Sequence, residues 1–282
     1  MKTRMLLRAL EPISHGSTVR SNITLIKTQK IIQPNGRYED VPVISANQLC
    51  NRAIRTPGID LLVELCEIKD LTAEALQWLY NGGNLTQGGA SVKIDDQQKI
   101  KELFPLFSLL GGAFVNQLLG GKLRIQNAYL CCKETKHLFG DEDQELFKES
   151  CYDQVQVETF TNMDPVRDPG KAHLLTEEIR EKESKDRDKT VLMPYERTSV
   201  SVGSHWIWSI STAYKLSTIE QGCLNYSLNA WDGYIGGRSS RGFGKMEKVN
   251  GKNLTSFVDK YKQHLIDNKQ AIQEHLHSEI LK

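Results

Sequence analysis

The sequence lacks an apolar run long enough to cross a bilayer, a C-x-x-C pair, and any appreciable net charge, which is +1 over 282 residues. The first absence excludes a membrane-spanning helix. The N-terminal stretch from Met1 to Arg8 has its apolar residues interrupted by Arg8 and then Glu11, so it reads as a strand and not as a secretory signal, and the chain is expected in the cytoplasm. The six cysteines, Cys50, Cys66, Cys131, Cys132, Cys151 and Cys223, show poor metal-ligand spacing. They are expected as reduced, mostly buried thiols, with no metal and no cofactor. The near-zero net charge excludes a uniformly basic protein, but acids are missing locally. Between Pro12 and Ile59 the only ones are Glu39 and Asp40, whereas His15, Arg20, Lys27, Lys30, Arg37, Arg52 and Arg55 all fall there. The compensating acids crowd into 134–149 and a mixed run over 177–188. A balanced total spread this unevenly predicts one basic face.

What is present is a local cluster of four glycines with cationic and hydroxyl residues, in the stretch Tyr234-Ile235-Gly236-Gly237-Arg238-Ser239-Ser240-Arg241-Gly242-Phe243-Gly244-Lys245. Glycines free the backbone for positive φ and close approach, and the arginines, serines and lysine among them supply donors suited to phosphate. This is not a nucleotide-triphosphate loop, because Phe243 stands where that motif needs lysine. It is not the dinucleotide fingerprint, because no helix opens directly after it. From the loop alone, a phosphate cradle and a glycine-rich hairpin with solvated arginines remain equally open.

Along the chain, Thr3–Leu10 reads as a strand with Met5, Leu7 and Ala9 on one face. Residues 13–18 read as a polar turn, 22–32 as a strand, Pro34-Asn35-Gly36 as a hairpin turn and 37–44 as the return strand. Ser45 caps a helix that Pro57-Gly58 should end, and in this basic setting its N-terminus is an expected anion site. Further helix is expected over 59–81, capped at Asp70 for its second part, and over 93–119 with breaks at Pro105 and Gly111-Gly112. A strand over 122–132, an acidic exposed loop over 133–150, and a protruding pair of strands over 151–161 and 191–202 follow. His205–Tyr214 is a strand, Ser217 to Glu220 a capping box opening a helix, and 245–249 a last strand. Residues 254–281 read as one long amphipathic helix.

Without the excursions the order is strand, helix, strand, strand, helix, strand. The fold class is therefore α+β, a ferredoxin-like or RRM-like βαββαβ palm over residues 1–282. A helical, finger-like insertion spans 60–120, a loop and thumb-like hairpin span 133–200, and a C-terminal helix spans 254–281.

Several segments together resemble the RAMP superfamily of CRISPR-associated proteins. They are Glu11-Pro12-Ile13-Ser14-His15-Gly16, Val41-Pro42-Val43-Ile44-Ser45-Ala46-Asn47 opening a helix with Arg52, Leu106 to Gly112 followed by Lys122-Leu123-Arg124-Ile125, and the glycine loop. The resemblance is to the backbone subunit of class 1 effector complexes, most of all its type IV form. It implies that copies of the chain line up along a CRISPR guide RNA, together with other effector-complex subunits, and present the guide to target DNA or RNA. A thumb would press across the strand with Met163 or Val166 as wedge and Arg167 beside them. The expected RNA contacts are His15, Ser17 and Arg20; Ser45, Asn47, Gln48, Arg52 and Arg55 at the helix start; Arg124; Met163, Val166 and Arg167; and Arg238, Ser239, Ser240 and Arg241 in the loop. Residues that hold phosphates without reading base edges suit a scaffold that accepts any guide.

Type III relatives cut RNA with an aspartate after the first strand. Here 12–38 contains no Asp or Glu, so no such cleavage is expected. An alternative within the superfamily is a guide-processing endoribonuclease with His15 as general acid or base. A protein-interaction module with merely solvated basic segments is the third reading.

Overall fold

The computed structural model describes residues 2–20, 23–83, 94–114, 117–140, 144–161, 169–179, 194–249 and 254–277. Its centre is the pairing of β1 (Lys2–Ala9) with a strand some two hundred residues later, β12 (His205–Thr212). They run antiparallel in register from Lys2 opposite Ser211 to Arg8 opposite His205. Alternation fixes which face each side chain takes. Met5, Leu7 and Ala9 of β1, with Trp206, Trp208 and Ile210 of β12, are buried on the main core side. Leu6 and Ile207 fall on the other face, where they pack with Cys131 and Phe147.

Between these two strands the chain forms β2 (Gly16–Arg20), β3 (Ile23–Ile26), β4 (Thr28–Ile32) and β5 (Tyr38–Ile44), the last two joined by the turn expected at Pro34-Asn35-Gly36. Helices α1 (Ala46–Leu49) and α2 (Thr56–Leu65) follow, then α3 (Ala73–Asn81), α4 (Ile94–Leu103) and α5 (Pro105–Leu110). Next come the hairpin of β6 (Gly112–Phe114) with β7 (Gln117–Leu119), then β8 (Leu123–Ile125) and β9 (Ala128–Leu130). Short helices α6 (Lys136–Phe139) and α7 (Cys151–Gln154) lead into β10 (Val155–Thr161) and β11 (Pro194–Val200). After β12 come α8 (Thr218–Ala230), β13 (Met246–Lys248), α9 (Val258–Asp267) and α10 (Lys269–Leu276). Among the described residues the main sheet has the order β13-β1-β12-β9-β5-β4, with β8 also on β12, and each of these pairs is antiparallel. A second sheet has the order β10-β11-β3-β2.

Several local expectations give way to tertiary constraints. Pro57-Gly58 does not end the first helix. A π-helical stretch at Cys50–Arg55 joins α1 to α2, and the wider turn takes in the proline at the start of α2. Gly58 is a packing residue: a Cβ there would lie 2.8 Å from Ser227 Oγ and 3.2 Å from Leu106, where α2 passes α8 and α5. The cap of α3 is Thr72, whose hydroxyl accepts from Ala75 N, and not Asp70, which adopts positive φ. The expected helix over 93–119 ends at Leu110, and Gly111 at φ 73 turns the chain into β6. Residues 13–18 hold the start of β2, and the strand expected over 22–32 is two strands belonging to different sheets. The strand expected over 122–132 is broken between β8 and β9, and the 133–150 segment buries Phe147. The C-terminal helix is divided at Asn268.

The capping box of α8 is present in full: Glu220 N donates to Ser217 Oγ at 3.2 Å and Ser217 N to Glu220 Oε2 at 2.8 Å. Glu220 also accepts from Ser108 Oγ at 2.5 Å and Lys122 Nζ at 2.7 Å, tying α8 to α5 and to the approach to β8. Burial works against its charge, but the Lys122 and Ser108 hydrogen bonds outweigh it and hold the carboxyl below its ordinary value of 4.5. A depressed folded value means that this stabilisation is complete above pH 4.5 and disappears as pH falls through the lower folded value. Glu220→Ala is expected to lower unfolding free energy in urea by about 3 kcal/mol at pH 7, because it leaves the buried Ser108 hydroxyl and a lysine unpaired and removes half of the capping box. The deficit should shrink on acidification. A loss under about 0.5 kcal/mol, ordinary for a surface change, would contradict this role.

Candidate nucleic-acid interface

Where β1 ends, the segment Pro12–His15 touches four other parts of the chain. Ile13 and Val200 exchange backbone hydrogen bonds of 2.9 Å each way, which fixes the root of the β10–β11 hairpin. Gly244 N donates to Pro12 O at 3.0 Å, and Lys27 N donates to His15 O at 2.7 Å. His15 Nε2 lies 3.0 Å from Ser45 Oγ. The glycine loop, the root of the β10–β11 hairpin, the β3–β4 junction and the first helix therefore meet on four residues.

The glycine loop is seated on this segment by geometry that only glycine permits. Gly236 has φ 80, and a Cβ there would stand 2.5 Å from Ser14 O. Tyr234 bridges to Lys245, and Ile235 N donates to Gly244 O at 2.9 Å, closing the loop's neck. Beyond the neck, Ser239–Arg241 forms a 3-10 turn, with Arg238 at positive φ before it. Arg238, Ser239, Ser240 and Arg241 are all exposed.

Behind these exposed arginines lies a buried one. Arg197 of β11 is 5 % exposed, with its guanidinium 5.5 Å from the ring of Phe243 in the loop and 5.8 Å from that of Phe160 in β10. Arg238 sits 5.2 Å from the same Phe160 ring, which in turn stacks on Tyr195. Burial, then the charge of Arg238 and that of Arg241, press the Arg197 value down, and Glu158 opposes them. Its buried Nε has no hydrogen-bond partner. Guanidinium does not deprotonate in proteins, so this arrangement is a concentration of positive charge under strain.

The helix start contributes differently from expectation. Ala46 N donates to Asn127 Oδ1 at 2.8 Å and Gln48 N to Ser45 Oγ at 3.4 Å, so these two first-turn amides are already engaged. What it presents outward is Asn47 and Arg52, both exposed, with Gln48 partly so. Burial, then the Lys27 charge, push the His15 imidazole below 6.5, toward the neutral form at pH 7.

Other expected site residues lie elsewhere. Arg55 is buried, its Nη1 3.4 Å from Leu79 O and its guanidinium over the Phe107 ring at 5.6 Å, so it braces α3 against α5 and is withdrawn from the basic face. Arg124 pairs with Ser211, at the end of β12 away from His205, roughly 20 Å of strand from the segment after β1. Ser17 and Arg20 lie on β2, at the edge of the second sheet, and their side chains are outside the described set. Met163, Val166 and Arg167 also lie outside the described residues. Sequence reading missed Arg197, Phe160 and Phe243. Only the aromatic inside an otherwise cationic loop hinted that the loop had a buried anchor.

Two neighbouring glycines test the seating of the loop. Gly236→Ala is expected to destabilise the protein by about 1–3 kcal/mol in urea unfolding through backbone strain and collision with Ser14. Gly237→Ala, with nothing within 4 Å of its Cβ position, should be neutral. Equal effects at both sites would contradict the described contact.

No protein-family model matches the chain, and no curated protein matches it. A solved structure titled "Type IV-B CRISPR Complex" contains a chain with which it superposes at a TM-score of 0.60 with 15% sequence identity, over 89% of this chain and 92% of that one. At that identity the likeness is one of fold, and it extends over nearly the whole of both chains. Over 89% of its length, this protein has the fold of a chain in the type IV-B CRISPR complex.

Proposed function

We propose that this protein is a guide-RNA-binding backbone subunit of a CRISPR effector complex. In this reading β13-β1-β12-β9, with α1 and α2 between β1 and β9 and α8 after β12, is the ferredoxin-like palm. The β10–β11 hairpin is the thumb. Copies of the chain repeat along the guide RNA beside other subunits and offer it to target nucleic acid. The observation that carries the reading is the cluster of Arg197, Arg238 and Arg241 with Phe160 and Phe243, next to the seated glycine loop. Three guanidinium groups facing one glutamate at the root of a hairpin are stabilised by an arriving polyanion, and planar donors with aromatic faces suit a single-stranded backbone and its bases. Arg52 and Asn47 extend the basic surface past His15 and Ser45. None of these groups needs to read a base edge, as a scaffold accepting any guide requires.

The protein acts as a scaffold and not as a nuclease. The region after β1, residues 12–38, has no carboxylate for metal-assisted cleavage. His15 is bonded to the helix cap Ser45, a positioning contact.

The test is binding of single-stranded repeat RNA across a salt series, wild type beside an Arg52→Ala/Arg238→Ala/Arg241→Ala variant. For a single strand the slope of log affinity against log salt falls by roughly 0.7 per phosphate contact removed, so the variant should lose about 2 from the slope, along with most of its affinity at low salt. The RNA is expected back at full length without metal. An unchanged slope in a folded variant, or His15-dependent cutting of the RNA, would overturn the proposal.

A further inference from the structure

Outside the arginine cluster, two buried thiols and a carboxylate converge near the start of β10. Cys132 and Cys151 are buried and Glu134 is half-buried, and one ligand atom from each lies within 4.8 Å of the others. Eighteen positions separate Cys132 from Cys151, and the chain returns between them so that Lys133 N donates to Glu149 O at 2.9 Å. The arms are held in place by groups that are not themselves ligands. Thr135 Oγ1 donates to Leu130 O at 2.6 Å and accepts from Cys132 N at 3.2 Å, shaping the turn that carries Cys132 and Glu134. Gln154 Nε2 donates to Cys131 O at 3.0 Å, closing the other side.

We propose that Cys132, Glu134 and Cys151 bind a zinc ion that staples the end of β9 to the start of the β10–β11 hairpin. Two sulfurs and a carboxylate oxygen are a zinc donor set, whereas magnesium and calcium take oxygen ligands throughout. Tetrahedral zinc places such donors roughly 3.5–3.8 Å apart, so modest side-chain rotation brings the three atoms to bonding distance. Binding exchanges the two thiol protons for the metal. Water supplies the fourth position. Glu134 also accepts from Ser150 Oγ at 2.6 Å and Cys151 N at 2.8 Å, which hold the carboxylate beside the two thiols. Hydrogen bonding with Cys132, burial and the Glu134 charge together push the Cys151 thiol up. Zinc bound to the folded chain adds stability by mass action. The cysteine spacing alone pointed away from a metal, because the third ligand is a glutamate and the partner thiol returns through the 133–150 segment.

The test is titration of reduced, chelator-stripped full-length protein with Co²⁺ as a spectroscopic stand-in, followed by displacement with Zn²⁺. One equivalent per chain with a thiolate-to-cobalt charge-transfer band is expected. The band should disappear in folded Cys132→Ser and Cys151→Ser, weaken roughly tenfold or more in affinity in Glu134→Gln, and remain in Cys66→Ser. A second measurement covers variants that do not fold: in the wild type, Zn²⁺ should protect Cys132 and Cys151 from alkylation in partial denaturant by a larger factor than Cys66 and Cys223, which gain only from the stabilised fold. Absence of the band in wild type, its persistence in both cysteine variants, or alkylation of Cys132 and Cys151 undiminished by Zn²⁺ would overturn the proposal.

Discussion

The four residues that follow β1 carry the arrangement of everything around them. Pro12–His15 has no regular structure of its own, yet its backbone receives the glycine loop through Gly244 and Gly236, the root of the β10–β11 hairpin through Val200 and the β3–β4 junction through Lys27, while His15 reaches Ser45. Buried backbone groups must find partners, and here they find them in segments far apart in sequence. The pairing of β1 with β12 sets where this segment emerges. The loop, the hairpin and the helix are rigidly placed because they share one anchor.

Charge then gives the anchored surface its character. A protein with a net charge of +1 can still present a strong local field when its cations are sorted from its anions. The sorting is visible in the residues gathered here: Arg238 and Arg241 on the loop, Arg197 beneath them between two phenylalanines, and Lys27 close enough to depress the histidine. Burying Arg197 with an open Nε is costly unless an anion is a regular companion. Arg55 shares an open buried Nε, but its Nη1 donates to the Leu79 carbonyl and its guanidinium lies over the Phe107 ring, away from the loop's arginines, so it serves packing. Two arginines three positions from each other, Arg52 and Arg55, thus do different work.

That difference also marks where sequence reading stops. Alternation placed Met5, Leu7 and Ala9, and Trp206, Trp208 and Ile210, on the buried face, because strand geometry leaves no other choice. The Ser217–Glu220 box and the Pro34–Gly36 turn were legible for the same reason: their physics is local. Arg55 was not, because a π turn adds residues to the helix and rotates everything after it off the 3.6 period. Pro57 reads as a breaker until that wider turn is known. Of the site, the loop's arginines and the helix-start residues were visible as polar side chains among small ones. Arg197 was hidden in a strand whose burial depends on Phe243, more than forty positions away. Asn127, which takes the Ala46 amide, was hidden likewise.

The most direct measurement of the central claim is photo-crosslinking of the protein to single-stranded RNAs of unrelated sequence, with the attachment sites mapped by mass spectrometry. The account predicts one set of sites whatever the sequence, falling within the segment after β1, the helix start near Asn47 and Arg52, the Phe160–Arg197 region and the glycine loop. Crosslinks that move with base sequence, or that gather on the C-terminal helices instead, would contradict it.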